Sequence, residues 1–244
     1  MINIILIFII IILICVIIND KFIEKFANAN ANANANANAN VPKIIHQTAP
    51  SDKSKWPSIW AECQKSWLKY FPEPEYKYMM WNDEDLDNFM KIEFPQYYEI
   101  YKNYDKNIKR IDIARYFILY KYGGIYADMD YICFKNFYNL IPQNKVSISE
   151  SPYPENEYIQ NALMISPKNH PFWLKVIKKS QEKERIKSDI IIYSTGPVLL
   201  SDTYFENIDD VNVLDQDIYN PHISLPDNDK MICRHYGTKL WLKP

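Results

Sequence analysis

The sequence predicts an α/β layered domain with a mainly parallel sheet, preceded by one N-terminal hydrophobic helix. Three observations predict it. Short apolar runs alternate with helical patterns along residues 41–244, as expected of strands joined by crossover helices. Of the 244 residues, 48% are hydrophobic and 15% aromatic, enough for a core and too much for a disordered chain. Residues 1–18 are almost wholly Ile, Leu, Phe and Val, and a polar low-complexity stretch follows them. The formal net charge of -2 lacks the basic excess that nucleic-acid binding needs, so no nucleic-acid partner is expected. Only four glycines occur, Gly123, Gly124, Gly196 and Gly237, where average usage gives about 17. Each marks a candidate turn or close backbone approach.

The elements follow in order. Residues 1–18 reach the lower edge of a membrane-spanning helix, and an uncleaved signal segment is the rival reading. No Lys or Arg precedes the run, so the usual positive start of a signal is missing and a single-pass anchor is expected. Residues 19–40 form a linker containing seven Ala-Asn pairs, with no apolar face at either the helical or the strand period. Lys21, Lys25 and Lys43 follow the apolar run, which favours a cytosolic domain by the positive-inside rule. Beyond Cys15 the cysteines are odd in number (Cys63, Cys133, Cys233), and no Asn-x-Ser/Thr sequon occurs. Both lean the same way.

Within residues 41–244, 43–48 follow a proline and read as a strand. Residues 58–70 read as a helix that stops before two closely spaced prolines. Residues 76–81 form a second strand. Asn82 or Asp83 then caps a helix through residue 90, with acidic residues in its first turn. Residues 97–104 are helical. The clearest helix is 108–120, where Ile108, Ile111, Ala114, Phe117 and Ile118 recur at three- and four-residue steps. Gly123 and Gly124 end it. Residues 125–127 are a strand, and 131–134 continue it beyond an acidic pair. Strands at 145–149, 162–166 and 211–214 and helices at 171–182 and 197–207 complete the pattern.

Asp128-Met129-Asp130 is the chemical centre. In extended backbone, residues two apart share a face, so both carboxylates would converge at a strand end, where α/β sheets put their ligands. Two hard oxygen donors can hold a divalent cation and leave positions for water and substrate phosphates. A haloacid-dehalogenase-type phosphatase would want Thr or Ser shortly afterwards, but Tyr131, Ile132 and Cys133 follow. A glycosidase needs carboxylates flanking a sugar from opposite sides, which adjacent same-face residues fit poorly.

Residues 110–130 (RIDIARYFILYKYGGIYADMD), with 42–48 (PKIIHQT), 81–86 (WNDEDL), 161–164 (NALM), 170–172 (HPF) and 195–197 (TGP) in the same order, carry a resemblance. The chain resembles the sugar-binding, Asp-x-Asp-containing glycosyltransferases of family 32, which include outer-chain α-1,6-mannosyltransferases and inositol-phosphoceramide mannosyltransferases. The resemblance covers nearly all of 41–244. It implies a GT-A type nucleotide-sugar-binding fold, Mn²⁺ (or Mg²⁺) as cofactor, and transfer with retention. It implies Asp130 as the direct metal ligand and Asp128 in the metal shell or on the donor. It places Asp112 on donor sugar hydroxyls, Arg115 by the sugar or diphosphate, Tyr126, His46 and Gln47 near the nucleotide, and Asn161 on the donor-sugar or acceptor side. The rival for Asp112 and Arg115 is a plain helix ion pair; for Tyr126 and Asn161 it is ordinary packing.

Residues 234–241 (RHYGTKLW) parallel a family ending, His-His-x-x-Gly-Ser-Trp, in the placement of His235 and Trp241. Tyr236 replaces the second His, and Lys239-Leu240 replaces Gly-Ser. The segment also resembles the ending of glycogenin-like transferases. That resemblance implies His235 as a third metal ligand, chemically suited to Mn²⁺, and Lys239 on the diphosphate, with Trp241 nearby. The implied activity is hexose transfer from GDP-mannose or a UDP-hexose to a glycan or glycolipid acceptor, on a membrane the N-terminal helix anchors. Eukaryotic members of the family typically face the Golgi lumen, against the charge and cysteine bias. The alternative is a catalytically silent sugar- or nucleotide-binding protein on the same fold.

Overall fold

A computed structural model describes residues 40–185 and 190–238. The expected anchor, nearly all of the Ala-Asn linker, and the tail residues Lys239 and Trp241 lie outside the described residues. Ala39–Pro244 is one compact unit. Among the described residues, no helix is long and apolar enough to cross a membrane.

The strands are β1 (Ile44–Thr48), β2 (Lys77–Trp81), β3 (Gly124–Ala127), β4 (Tyr131–Cys133), β5 (Val146–Glu150), β6 (Ile159–Ser166), β7 (Val211–Leu214) and β8 (Cys233–His235). Six of them form one sheet in the order β2-β1-β3-β6-β5-β7, and β4 with β8 forms a separate ribbon. The helices are α1 (Ser58–Tyr70), α2 (Asp83–Glu93), α3 (Pro95–Lys102), α4 (Asn107–Tyr122), α5 (Phe172–Arg185), α6 (Ile191–Ser194), α7 (Pro197–Phe205) and α8 (Gln216–Tyr219).

The expected parallel character holds for β1 with β2 and β3, and for β5 with β7. It is interrupted at one strand, because β6 runs antiparallel to both β3 and β5. Residues 151–158 between β5 and β6 are too few for a parallel crossover. The sheet is therefore mixed.

The helix ends follow local chemistry. Asn82 is the cap of α2: its side chain accepts from the N–H groups of Glu84 (2.8 Å) and Asp85 (3.0 Å), and Asp85 reciprocates to the Asn82 N–H at 3.0 Å. The two glycines after α4 are obligatory. Gly123 and Gly124 sit at φ 65° and 93°. A Cβ at Gly123 would lie 2.6 Å from the Lys168 amide nitrogen, and one at Gly124 would lie 2.5 Å from the Ile44 carbonyl oxygen. Both left-handed backbone and lack of room exclude other residues there.

Two expectations need correction. The helix over 108–120 was expected to show an apolar stripe, but α4 is buried on every face from Asp112 to Tyr120. It is the central layer, held between the sheet and the outer helices, so its polar residues are internal. The stretch 131–134 was expected to continue the strand over 125–127 beyond the acidic pair. Instead the Tyr131 N–H bonds back to the Asp128 carbonyl at 3.0 Å. That β-turn redirects the chain out of the main sheet, and β4 pairs with β8. The three-residue β8 has too little pattern to be read from sequence.

Helix α1 locks the ribbon down. The Trp67 indole N–H donates to the Tyr131 carbonyl at 2.7 Å, and the Ser66 hydroxyl accepts from the Cys133 N–H at 2.9 Å. Around them Trp67, Phe71, Tyr76 and Phe137 form the aromatic part of the core, with Phe71 5.0 Å from Tyr76 and 5.4 Å from Phe137 between ring centroids. Edge-on aromatic pairs of this kind add about 0.5–1.5 kcal/mol each beyond area burial.

Candidate active site

The site forms where β3 ends. The N–H of Asp128 bonds to the Ala162 carbonyl of β6 (2.8 Å) and its carbonyl accepts from the Gln47 side chain of β1 (3.2 Å). The turn then brings Asp130 round to meet β8. The premise of an extended triplet is thus corrected: the two carboxylates converge through a turn and a returning tail, not through strand alternation.

Asp130 is held from the tail. Its Oδ1 meets His235 Nε2 at 3.1 Å, and its Oδ2 accepts from the Thr238 N–H (2.6 Å) and hydroxyl (2.7 Å). Burial alone would raise its pKa, but His235 and Thr238 more than offset that and hold it well below the usual carboxylate range. Burial would lower the pKa of His235, yet Asp130 and then Asp128 raise it above the ordinary 6.5. The imidazole also stacks on Tyr131 with centroids 5.2 Å apart.

Asp128 faces the same opening. Its Oδ1 accepts from the Tyr126 hydroxyl at 2.9 Å and pairs with Arg115 Nη1 at 3.1 Å. Tyr126 in turn accepts from Thr48 at 2.9 Å. Among the described residues no hydrogen bond reaches Asp128 Oδ2, and its side chain is 26% exposed against 5% for Arg115. Burial raises the pKa of Asp128 although Arg115 opposes it.

Behind this front lies a sealed layer on α4. Arg115 reaches Asp112 Oδ1 through Nη2 (3.1 Å) and the Asn161 carbonyl through Nη1 (2.8 Å), and its guanidinium lies 4.8 Å from the centroid of the Tyr126 ring. Its Nε is buried without a partner among the described residues. Asp112 also accepts from the Asn161 amide (3.0 Å) and from Thr195 (3.1 Å). Burial pushes Asp112 up to about 6 despite Arg115.

The residues read from sequence therefore fall into three groups. Asp128, Asp130 and His235 come together, each offering a ligand atom within 4.8 Å of the others. Arg115 backs them, with Tyr126 oriented on Asp128. Asp112 and Asn161, expected on donor or acceptor hydroxyls, bond within the chain: both Asp112 oxygens, the Asn161 amide nitrogen and the Asn161 carbonyl are engaged, and together they hold Arg115. His46 and Gln47, expected near the nucleotide, are wholly buried. His46 Nε2 bonds the Gly123 carbonyl (3.0 Å), its Nδ1 accepts from Trp81 (3.2 Å), and burial brings it down to about 4. It is a neutral brace under the glycine turn. Gln47 ties Asp128 to the Tyr78 hydroxyl (2.6 Å). Sequence reasoning missed the roles of Thr195 and Thr238, whose chemistry is only apparent once α6 and the tail meet the site.

Two carboxylates and an imidazole form a mixed oxygen and nitrogen donor set that fits Mn²⁺ and, less closely, Mg²⁺. The fit rests on the convergence of three donors and on Asp128 Oδ2, which no hydrogen bond reaches among the described residues.

Residues 57–147 match the family described as a glycosyltransferase sugar-binding region containing the DXD motif. The chain carries a DXD-type glycosyltransferase sugar-binding region. It is 37% identical over 164 residues to inositol phosphoceramide mannosyltransferase 3 of Schizosaccharomyces pombe, covering 66% of this chain and 44% of that one. It is 36% identical to the mannosyl phosphorylinositol ceramide synthase SUR1 of Saccharomyces cerevisiae, covering 66% and 41%. The chain thus spans less than half the length of these relatives. An uncharacterized glycosyltransferase, L373 of Acanthamoeba polyphaga mimivirus, is 28% identical with 74% and 73% covered. Among solved structures, PaToxG glycosyltransferase superposes with TM-score 0.55 at 18% identity over 78% of each chain. A glycosyltransferase involved in glycosylating the major capsid of PBCV-1 superposes at 0.51 and 11% identity, over 80% of this chain and 93% of that one. These likenesses show a GT-A-like glycosyltransferase fold for the DXD-type domain.

Proposed function

We propose that this domain is a divalent-metal-dependent, retaining hexosyltransferase that takes mannose or a similar hexose from a nucleotide-sugar donor, GDP-mannose or a UDP-hexose, to a glycan or glycolipid acceptor. The observation that carries the reading is the convergence of Asp128, Asp130 and His235 in front of Arg115. The names of the relatives, which describe mannosyl transfer to inositol phosphoceramide, support mannose and a lipid acceptor.

A bound divalent ion supplies positive charge to the departing diphosphate. Asp130, Asp128 and His235 would hold it. Asp130 arrives already ionised, because the Thr238 N–H and hydroxyl stabilise its charge. His235 must give up its proton to bind, which its pairing with Asp130 resists. Arg115 places a fixed cation beside the same opening, where its charge opposes the negative charge of a diphosphate without moving. Asp112 and Asn161 hold that cation in place, and Tyr126 orients Asp128.

Retention needs either a covalent sugar intermediate or attack on the face that the leaving group departs. Both oxygens of Asp112 are engaged and buried, which favours same-face attack. Trapping a glycosyl-enzyme adduct by mass spectrometry would overturn that choice. The overall reading is tested by nucleotide release from a donor panel with Mn²⁺, comparing wild type with Asp130→Asn. Release by wild type and its loss in the variant is the expected result. Donor binding without release by wild type would make the chain a silent binding protein. The membrane anchor over residues 1–18 belongs to the same proposal, and protease protection on membranes reads which side the domain faces.

A further inference from the structure

The ribbon that closes the site contains two cysteines facing each other. Cys133 on β4 lies directly opposite Cys233 on β8. The hydrogen-bond parity of the ladder defines what kind of pair this is. Phe134 N–H donates to the Ile232 carbonyl and Tyr236 N–H to the Asp130 carbonyl, so the even-numbered residues of this strand point their backbone groups at β8. The odd-numbered ones point away: the Tyr131 carbonyl accepts from Trp67 and the Cys133 N–H donates to Ser66. Cys133 and Cys233 are therefore a non-hydrogen-bonded antiparallel pair. Such pairs bring Cα atoms to about 4.5 Å and put both side chains on one face. That separation lies at the short end of the range, about 4.4–6.8 Å, that a disulfide spans. The next non-hydrogen-bonded pair along the ribbon is Tyr131 with His235, whose rings stack at 5.2 Å, so close side-chain contact is the rule on this face.

We infer that Cys133 and Cys233 form a disulfide that staples β8, and with it His235 and Thr238, to the strand that follows Asp130. Formation is two-electron oxidation by a small disulfide such as oxidised glutathione. The two thiols lose two protons and two electrons, one S–S bond forms in the protein, and the oxidant's S–S bond becomes two thiols. In the structure both are buried free thiols, and the Cys133 thiol donates to the Lys135 carbonyl at 3.1 Å, so the exchange takes place while the ribbon is open, during folding or local opening, and the closed bond is shielded from reductant. Cys63, also buried, has no cysteine across from it among the described residues and stays a thiol. The inference stands apart from the catalytic reading, since it concerns only the ribbon.

The test is to unfold the full chain, refold it in oxidised and reduced glutathione or in dithiothreitol, alkylate all remaining thiols under denaturing conditions, digest, and analyse by mass spectrometry. The expected result is a linked peptide pair containing Cys133 and Cys233 only in the glutathione sample, with Cys63 alkylated in both. The melting temperature of the linked form should rise on the order of 10 °C, and Cys233→Ser should abolish both the link and the difference. Full alkylation of Cys133 and Cys233 after oxidative refolding, or a link to another cysteine in their place, overturns the inference. If Cys233→Ser does not fold, the peptide map of the wild-type chain decides alone.

Discussion

Arg115 is the residue on which the site balances. It is the cation between buried Asp112 and the more open Asp128. Arg115→Leu would leave a buried carboxylate without its counter-charge, and such losses cost about 3–5 kcal/mol. Urea unfolding should show that loss, and a stability within 1 kcal/mol of wild type, as a threshold about the size of an exposed pair, would place the pair outside the fold's energetics. His235 makes a pH prediction. Its pairing with Asp130 raises its pKa above 6.5. The stability this pair adds to the metal-free protein is complete below the ordinary imidazole value and is lost as pH rises through the raised one. Metal needs the neutral ring, so Mn²⁺ affinity should climb with pH across the same window, by up to about tenfold per pH unit at its acid end. Calorimetry in buffers of different ionisation enthalpy should also detect a proton released on binding. An affinity flat between about pH 5.5 and 7.5 would remove His235 from the ligand set.

At the scale of elements, the glycine turn between α4 and β3 aims Asp128. Gly124→Ala combines positive φ with a Cβ 2.5 Å from the Ile44 carbonyl, so β1 and β3 must separate. We expect a cost of about 3 kcal/mol or more, read as a fall in melting temperature. Gly237→Ala is the control. It has φ 57° but, among the described residues, nothing within 4 Å of the added Cβ, so only the backbone preference, about 1–2 kcal/mol, is at stake. Equal effects at the two positions would mean that the close approach is relieved elsewhere. Trp67→Phe probes the hold of α1 on the ribbon. It keeps the ring but leaves the buried Tyr131 carbonyl without its donor, at about 1–3 kcal/mol.

The whole molecule has two parts of unequal strength. The six-stranded sheet is backed by the buried helix α4, while the ribbon has two strands, and isolated two-stranded pairs are marginal. Under reducing conditions the amides of β8 should exchange through local opening, about 100-fold or more faster than those of β6 at the sheet centre. Uniform protection in hydrogen exchange would show that sheet and ribbon open as one cooperative unit. The ligand set spans this boundary, with Asp128 and Asp130 on the turn leaving the sheet and His235 on the ribbon.

Much of this was legible in the chain. The order of the longer strands and helices, a cap at Asn82 or Asp83, the glycine stop and the Asp128-Asp130 pair are local properties, set by periodicity, capping chemistry and turn residues within a few positions. The alternation of strands and helices already placed the acidic pair at a sheet end. What local pattern could not carry was long-range. Whether Asp112 and Asn161 face a ligand or lock Arg115 depends on Thr195, which comes from 83 residues away. Whether His46 is a contact or a brace depends on Gly123 and Trp81. The turn at Asp128 and the short β8 emerge only when the tail returns to pair with β4, since three residues bury too little surface to specify a strand alone. Composition and order thus establish the kind of domain and its acidic centre, whereas burial and partners far apart in the chain establish which polar residues remain open to a ligand.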